Sequence, residues 1–301
     1  WYRKAAEQGD AEAQHSLSHM YYIGEIVEQD FKKAVKWCRK AAEQGNVAGQ
    51  NNLGHLYASG KGVRKNLKEA AKWYRKAAGQ GAAGAQSYLG WAYASGEGVR
   101  KNLKEAVKWY RKAAEQGLAL AQTNLGTIYT QDEGLKKNFK EAVKWYRKAA
   151  EQEDATGQNN LGHMYDHGNG VRKNFKEAVK WYRKAAEQGQ ARAQCSLGWK
   201  YGRGEGVKKD FKEAVKWYHK SAEQGLAEAQ NNLGDAYHKG KGVTEDHVTA
   251  RAWWNLAVEN GSAEAATRKT KLSKNMIPGQ IAKAEALAKE MIKKNPKLIN
   301  G

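Results

Sequence analysis

The apolar residues of this chain recur with a period of 36, and within each period they form two helical stripes separated by a glycine-bearing loop. Trp1, Trp37, Trp73, Trp109, Trp145, Trp181, Trp217 and Trp253 stand 36 apart without a slip, and Leu17, Leu53, Leu89, Leu125, Leu161, Leu197 and Leu233 keep the same interval. In the first period Ala13, Gln14, Leu17 and Tyr21 share one arc at the helical spacing, which predicts a helix over roughly 11–23 with that arc as its packing face. Phe31, Ala34, Val35, Trp37, Cys38, Ala41 and Ala42 give the apolar face of a second helix. We call these helix A and helix B of each repeat. One such pair cannot bury its apolar face alone, so the pattern predicts a stack of pairs.

Local signals set the boundaries. Asp30, Asn66, Asn102, Asn138, Asn174, Asp210 and Asp246 open helix B, each able to accept from the N–H groups of the first turn. Glu69, Glu105, Glu141, Glu177 and Glu213 stand three residues later and predict a reciprocal capping box. Gly45, Gly81, Gly117, Gly189, Gly225 and Gly261 end helix B as left-handed caps. Glycines also recur inside helix A (Gly54, Gly90, Gly126, Gly162, Gly198 and Gly234). Each costs about 1 kcal/mol against alanine, so a close helix–helix approach is expected there. Three residues break the template. Glu153 replaces a helix-ending glycine and predicts a kinked, a straightened or a tolerant turn, while Ile26 and Asp132 replace loop glycines. The last repeat, with His247, Arg251 and Trp254, departs further, as expected where an array is capped.

The string Trp-Tyr-Arg-Lys-Ala-Ala-Glu-Gln-Gly at 109–117, followed by Ala-x-Ala-Gln-x-x-Leu-Gly-x-x-Tyr at 119–129, resembles the Sel1-like repeat family, and nearly the whole chain carries this pattern. Met276-Ile277-Pro278-Gly279-Gln280-Ile281, leading into 282–294, is similar to the segment that closes many such arrays. The resemblance implies an all-α, right-handed superhelical solenoid of helix–turn–helix repeats, tetratricopeptide-like and closed by a C-terminal capping helix. It also implies an adaptor role in assembling other proteins. The expected organisation is a repeat array over 1–262, with a half repeat at 1–9 and seven repeats starting near 10, 46, 82, 118, 154, 190 and 226, then capping helices over 263–301. The first nine residues read as the back half of a helix B, so the natural N-terminus, with any targeting segment, is expected upstream of Trp1. The 36-residue period, the Gly-x-Gly-Val loop and the lack of a repeat proline argue against tetratricopeptide and pentatricopeptide arrays proper.

Opposite the packing face of helix A, the repeats disagree most. One position there runs His19, His55, Trp91, Thr127, His163, Trp199, Asp235; its neighbour holds Asn52, Asn124, Asn160 and Asn232, with Tyr88 in the gap. Constant packing beside a varied exposed row is what a fixed scaffold with a specific surface presents, and tetratricopeptide arrays turn this face to their concave side. The candidate partner-binding residues are therefore His19, Asn52, His55, Tyr88, Trp91, Asn124, Asn160, His163, Trp199 and Asn232. In this reading the asparagines hold an extended peptide's backbone and the tryptophans anchor side chains. In the competing reading the asparagines bond neighbouring helices and the variation is neutral.

Charge adds a second candidate surface. The chain holds 52 Lys and Arg against 32 Asp and Glu, a net charge of +20. The excess sits on helix B and its preceding loop, as in Arg100, Lys101, Lys104, Lys108, Arg111 and Lys112, and is copied with each repeat. It reads either as a surface for nucleic acid, anionic lipid or an acidic partner, or as a solvated face with pairs such as Glu105 with Lys108 and Lys112. The aromatics are expected to lie beneath this face and not among its lysines, which argues against a base-stacking platform and against nucleic acid as partner. Mean hydropathy is −0.88 and no run approaches the ~18 apolar residues of a membrane span, so the expected partner is a protein or peptide held by a monomer.

Reactive chemistry is sparse. Gly60-Lys61 and Gly240-Lys241 lack the rest of a phosphate-binding loop, and Gly96-Glu97-Gly98 joins two helices instead of a strand to a helix. Some Sel1-like proteins have been described as β-lactamases. Here no serine is followed three residues later by lysine and no Gly-x-Ser-x-Gly occurs, so neither a catalytic residue nor a cofactor is expected. Cys38 and Cys195 occupy different repeat positions and predict no disulfide framework. His163 and His167, echoed by His15 and His19, have the spacing of a metal-binding pair but need a third ligand.

Overall fold

A computed structural model describes residues 1–131 and 136–299; Asp132, the acidic departure in the fourth repeat, lies outside the described residues. The A helices are α2 (Ala11–Ile23), α4 (Val47–Ser59), α6 (Ala83–Ser95), α8 (Ala119–Thr130), α10 (Ala155–His167), α12 (Ala191–Arg203), α14 (Ala227–Lys239) and α16 (Ala263–Ser273). They alternate with the B helices α1 (Tyr2–Glu7), α3 (Phe31–Glu43), α5 (Leu67–Gly79), α7 (Leu103–Glu115), α9 (Phe139–Glu151), α11 (Phe175–Glu187), α13 (Phe211–Ala222) and α15 (His247–Glu259), and α17 (Pro278–Lys294) closes the series. Among the described residues there is no strand. The chain forms two compact units, 1–149 and from 150 onward. In the first unit α2, α4 and α6 each pack against the B helices before and after them, as α12 and α14 do in the second, with the periodic leucines at most 3% exposed.

Apolar burial alone is non-directional, and a polar network supplies the register. In the first unit Gln14, Gln50, Gln86 and Gln122 are buried, and each Nε2 donates to the carbonyl of the alanine eight residues earlier, at the end of the preceding B helix. The Oε1 of Gln14, Gln50 and Gln86 accepts, at 2.8 Å each, from Gln44, Gln80 and Gln116, which close the following B helix. The second unit repeats the device: Gln188 and Gln224 donate to Gln158 and Gln194, and Asn260 donates to Gln230. One side chain thus ties three successive helices, and a repeat displaced along its neighbour would leave buried amide groups unpaired.

The helical glycines have a specific cause. A Cβ at Gly54 would lie 2.9 Å from the Tyr74 ring, and one at Gly126 would lie 2.7 Å from Tyr146, so the glycine makes room for the aromatic ring of the next B helix. The first repeat shows the alternative solution. Ser18 replaces the glycine, Cys38 replaces the tyrosine, and Ser18 Oγ donates to the Ala34 carbonyl at 2.8 Å.

The Asx residues cap helix B as expected, for example Asn66 Oδ1 accepting from the N–H groups of Lys68 and Glu69. The other half of the expected capping box does not form. The Asx N–H already donates to a tyrosine carbonyl of the preceding A helix, as Asn66 does to Tyr57 at 2.9 Å, and Glu69 turns outward to Lys72 at 2.5 Å. Glu153 keeps the turn of the glycine it replaces, at φ 64°, a left-handed conformation that costs a non-glycine residue roughly 1–2 kcal/mol. Ile26 occupies a loop-glycine position without positive φ and stays 77% exposed.

The last repeat changes residues to hold the closing helices. Arg251 is buried and donates to Ser273 Oγ at 3.0 Å, the Ile281 carbonyl at 3.4 Å and Glu285 at 3.2 Å, joining α15 to α16 and α17. The chain then returns, and the Leu298 carbonyl accepts from Gln230 at 2.8 Å and Asn260 at 2.7 Å. A backbone carbonyl thereby satisfies the last members of the glutamine series.

Gln86→Ala should destabilise the chain by about 1–3 kcal/mol in urea unfolding, because it removes a buried side chain that bonds both the Ala78 carbonyl and the Gln116 amide. Gly90→Ser and Tyr110→Cys should each destabilise, yet combined they should recover at least about 1 kcal/mol relative to additivity; simple additivity in the double-mutant cycle would refute the ring-for-glycine explanation.

Candidate functional site

The expected row lies on the outer face of the A helices. His19, His55, Trp91, His163 and Trp199 are exposed, Trp91 at 37% and Trp199 at 46%, while Thr127 and Asp235 are half-buried. Clefts open along this row between neighbouring A helices. In the first unit Ser18, His19, Tyr22, Asn52, His55 and Leu56 line one of about 210 Å³. In the second, Trp199, Asn232, Asp235 and Lys239 rim one of about 160 Å³ above Ala214 and Tyr218. Each volume suits one side chain of a bound segment. Between them in sequence, on α6, Tyr88 stacks on Tyr74 with centroids 3.9 Å apart and leans on Trp91 at 5.2 Å. The Tyr88 hydroxyl is buried without a hydrogen-bond partner among the described residues, and burial raises its pKa.

The asparagine row behaves differently. Asn52, Asn124, Asn160 and Asn232 are all half-buried. Asn52 Nδ2 lies 2.9 Å from His15 Nε2 on the preceding A helix, Asn232 Nδ2 donates to Cys195 Sγ at 3.7 Å, and Asn124 bonds the Tyr110 hydroxyl. Asn160 accepts from Asn159 at 3.3 Å. Within each unit the candidates therefore fall into an exposed outer set and a half-buried inner set whose asparagines bond within the protein.

Both thiols are buried. Burial pushes the Cys38 thiol up to about 12 and raises Cys195 as well, so neither supplies thiolate near neutral pH. The His163 and His167 rings stack at 4.1 Å, and His167 Nδ1 lies 3.0 Å from the His163 carbonyl. Burial, then the neighbouring His167, lowers the His163 pKa. No group of three or more His, Cys, Asp or Glu is placed to hold a metal among the described residues.

One residue that shapes this face lies outside the candidate row. Lys200 occupies a buried position that is Met20, Leu56, Ala92, Ile128, Met164 and Ala236 in other repeats. Its ammonium pairs with Asp166 of α10 and, at 2.8 Å, with Glu205, and it sits 4.5 Å from the Phe175 ring centroid. The ion pair fixes α12, with Trp199, against α10, with His163. A lysine breaking an apolar series is the signal that would have located it. Hydrogen bonds from Lys200, then Arg203, hold the Glu205 carboxyl below its ordinary value. Its contribution is complete above the ordinary carboxylate range and fades as pH falls through the depressed value.

The B helices also depart from expectation. Trp37, Trp73, Trp109 and Trp181 are half-buried instead of lying beneath the basic face. Lys40, Lys76, Lys112 and Lys184 stand over these rings at 4.2–4.9 Å, so lysines and indoles interleave. The repeat leaves these rings uncovered by the next helix, and the lysine three residues on covers them.

Stacked helix pairs with a constant interior and a varied outer row define a helical-repeat protein of the tetratricopeptide-like class. Within it the chain belongs to the Sel1-repeat family, whose model matches residues 1–10, 11–46, 47–81, 83–118, 119–154, 155–190, 191–226 and 227–262. A Sel1 repeat protein from Oxalobacter formigenes is 38% identical, with a TM-score of 0.72 over 80% of this chain and 96% of that one. A protective antigen of uropathogenic Escherichia coli with an SLR fold is 35% identical over 99% of this chain and 80% of its own, with a TM-score of 0.43. Comparison with curated proteins gives no match. Sel1-repeat proteins are in general protein-interaction scaffolds and mostly non-enzymatic. No helix among the described residues is long and apolar enough to cross a membrane.

The role of the buried ion pair is testable by denaturant unfolding. Asp166→Asn should cost about 1–3 kcal/mol by stripping a buried ammonium of one partner, whereas replacing the pair together, Lys200→Met with Asp166→Thr, should be neutral or stabilising, since the repeat before each carries Met164 and Thr130 at these positions. A loss above about 2 kcal/mol in that double variant would mean that the pair itself is net stabilising.

Proposed function

We propose that this protein is a non-catalytic scaffold that captures an extended peptide or protein segment along the outer face of its A helices. The observation that carries the reading is the exposure of Trp91 and Trp199 in a row that varies between repeats while the leucines and glutamines of the packing face stay constant. Large side chains left 37% and 46% exposed, with Trp199 at the rim of a cleft sized for a single side chain, are the kind of anchors that dominate peptide interfaces. The inner asparagines help position the helices, so the grip falls to His19, His55 and Trp91 in the first unit, with Tyr88 backing Trp91, and to His163 and Trp199 in the second.

Selection from a phage-displayed random peptide pool supplies ligands for the test. Peptides that bind the full chain should lose at least tenfold in affinity, measured by calorimetry, to Trp91→Ala or to Trp199→Ala, with the melting transition unchanged. Selected peptides that bind both variants as tightly as the parent would refute the groove.

A further inference from the structure

Charge is divided sharply between the two helix layers of residues 1–149. Histidines aside, α2, α4, α6 and α8 carry Glu12 as their one charged residue, whereas α3, α5, α7 and α9 are each basic. The loops before them add exposed basic pairs, Arg64-Lys65, Arg100-Lys101 and Lys136-Lys137. The helix B arginines each give one N–H to a neighbour: Arg39, Arg75 and Arg111 donate to the hydroxyls of Tyr57, Tyr93 and Tyr129 on the next A helix at 2.7, 3.1 and 2.5 Å. The outward charge is mainly lysine. Lys40, Lys76 and Lys112 rest on the rings of Trp37, Trp73 and Trp109, which orders their stems and directs one ammonium per repeat to the same face.

We propose that this helix B face binds the phosphodiester backbone of duplex nucleic acid without regard to sequence. Three observations select that occupant. Lysines ordered at repeat spacing act as point charges and match a polymer of closely spaced phosphates, beside exposed arginines that each give one N–H to a tyrosine hydroxyl and keep the rest of the guanidinium open. The indoles present lysine-covered faces, so the surface suits a duplex, whose bases stay stacked, better than a single strand. No residue of α3, α5, α7 or α9 is among the large exposed apolar side chains, so nothing on this face is available to insert into a bilayer. The surface is separate from the peptide row, and the two can be occupied independently.

Fluorescence anisotropy with a labelled random-sequence duplex of about 20 base pairs, titrated with the full chain across a salt series, tests the proposal. Wild type should bind, with log K falling linearly against log salt. The Lys68→Gln, Lys76→Gln, Lys104→Gln, Lys112→Gln variant should lower the magnitude of that slope by about 3–4, at about 0.9 for each phosphate no longer neutralised. Should that variant melt early, Lys68→Gln with Lys104→Gln should lower it by about 2. Trp91→Ala should leave duplex binding intact. Absence of wild-type binding at about 50 mM salt, or an unchanged slope in the variants, overturns the proposal. So does tighter binding to phosphatidylserine vesicles or to polyglutamate than to the duplex.

Discussion

A buried glutamine that donates to one helix end and accepts from another is the constraint on which both units depend. Leucine and alanine burial supplies the cohesion, yet apolar stripes on successive helices tolerate sliding, because burial is roughly proportional to area and indifferent to direction. Gln86 is not indifferent. It must meet the Ala78 carbonyl and the Gln116 amide together, and both lie on helices that belong to different repeats. The register of each helix pair is therefore fixed by its neighbours, and any ligand-facing side chain inherits that spacing. The return of the Leu298 carbonyl to Gln230 and Asn260 extends the same network at the end of the series, where a backbone acceptor joins two side chains that already bond each other.

Much of this was legible because it is local or periodic. The helix boundaries come from Asx caps and left-handed glycines, and the packing arc of Ala13, Gln14, Leu17 and Tyr21 is buried as its spacing predicts. Interactions between repeats were less legible. Gln14 could be placed on the packing face, but its partners lie 8 residues before and 30 residues after it, and no local pattern names them. The capping box misled for the same reason, since the N–H that Glu69 was expected to accept from is taken by Tyr57 of another helix. Within the candidate site, exposure of the outer row could be read from helical phase. The engagement of Asn52 and Asn232 could not, because His15 and Cys195 stand 37 residues away.

The two helix layers answer to different demands. Helix A is packed on both sides by B helices and leaves only a narrow strip outward, so the identity of that strip can vary without touching the fold. Helix B has a broad outer face whose residues scarcely change between repeats, and its lysines cover tryptophan rings that would otherwise lie open to water. Lysine there does two things at once, shielding an apolar ring and holding charge at a repeating interval. A uniform face suits a uniform polymer and a varied face suits a particular segment, which is why the two surfaces are assigned different classes of partner.

Departures from the repeat separate into two kinds. Ser18 with Cys38 and Lys200 with Asp166 are departures that answer one another in space, and Arg251 departs to meet Ser273 and Glu285 of the closing helices, each restoring the packing or the charge balance that the other disturbs. They are accounted for by the fold. Trp91 and Trp199 are answered only in part: Tyr88 leans on Trp91 and the Arg203 guanidinium lies 5.4 Å from the Trp199 ring, yet each indole stays exposed, at 37% and 46%, on a position that carries histidine, threonine or aspartate in other repeats. Exposed indole is unfavourable by itself, and at Trp91 the structure goes further, backing the ring with Tyr88 and Tyr74 instead of covering it. A supported but uncovered aromatic in an otherwise compensated framework is the feature that a bound partner would complete.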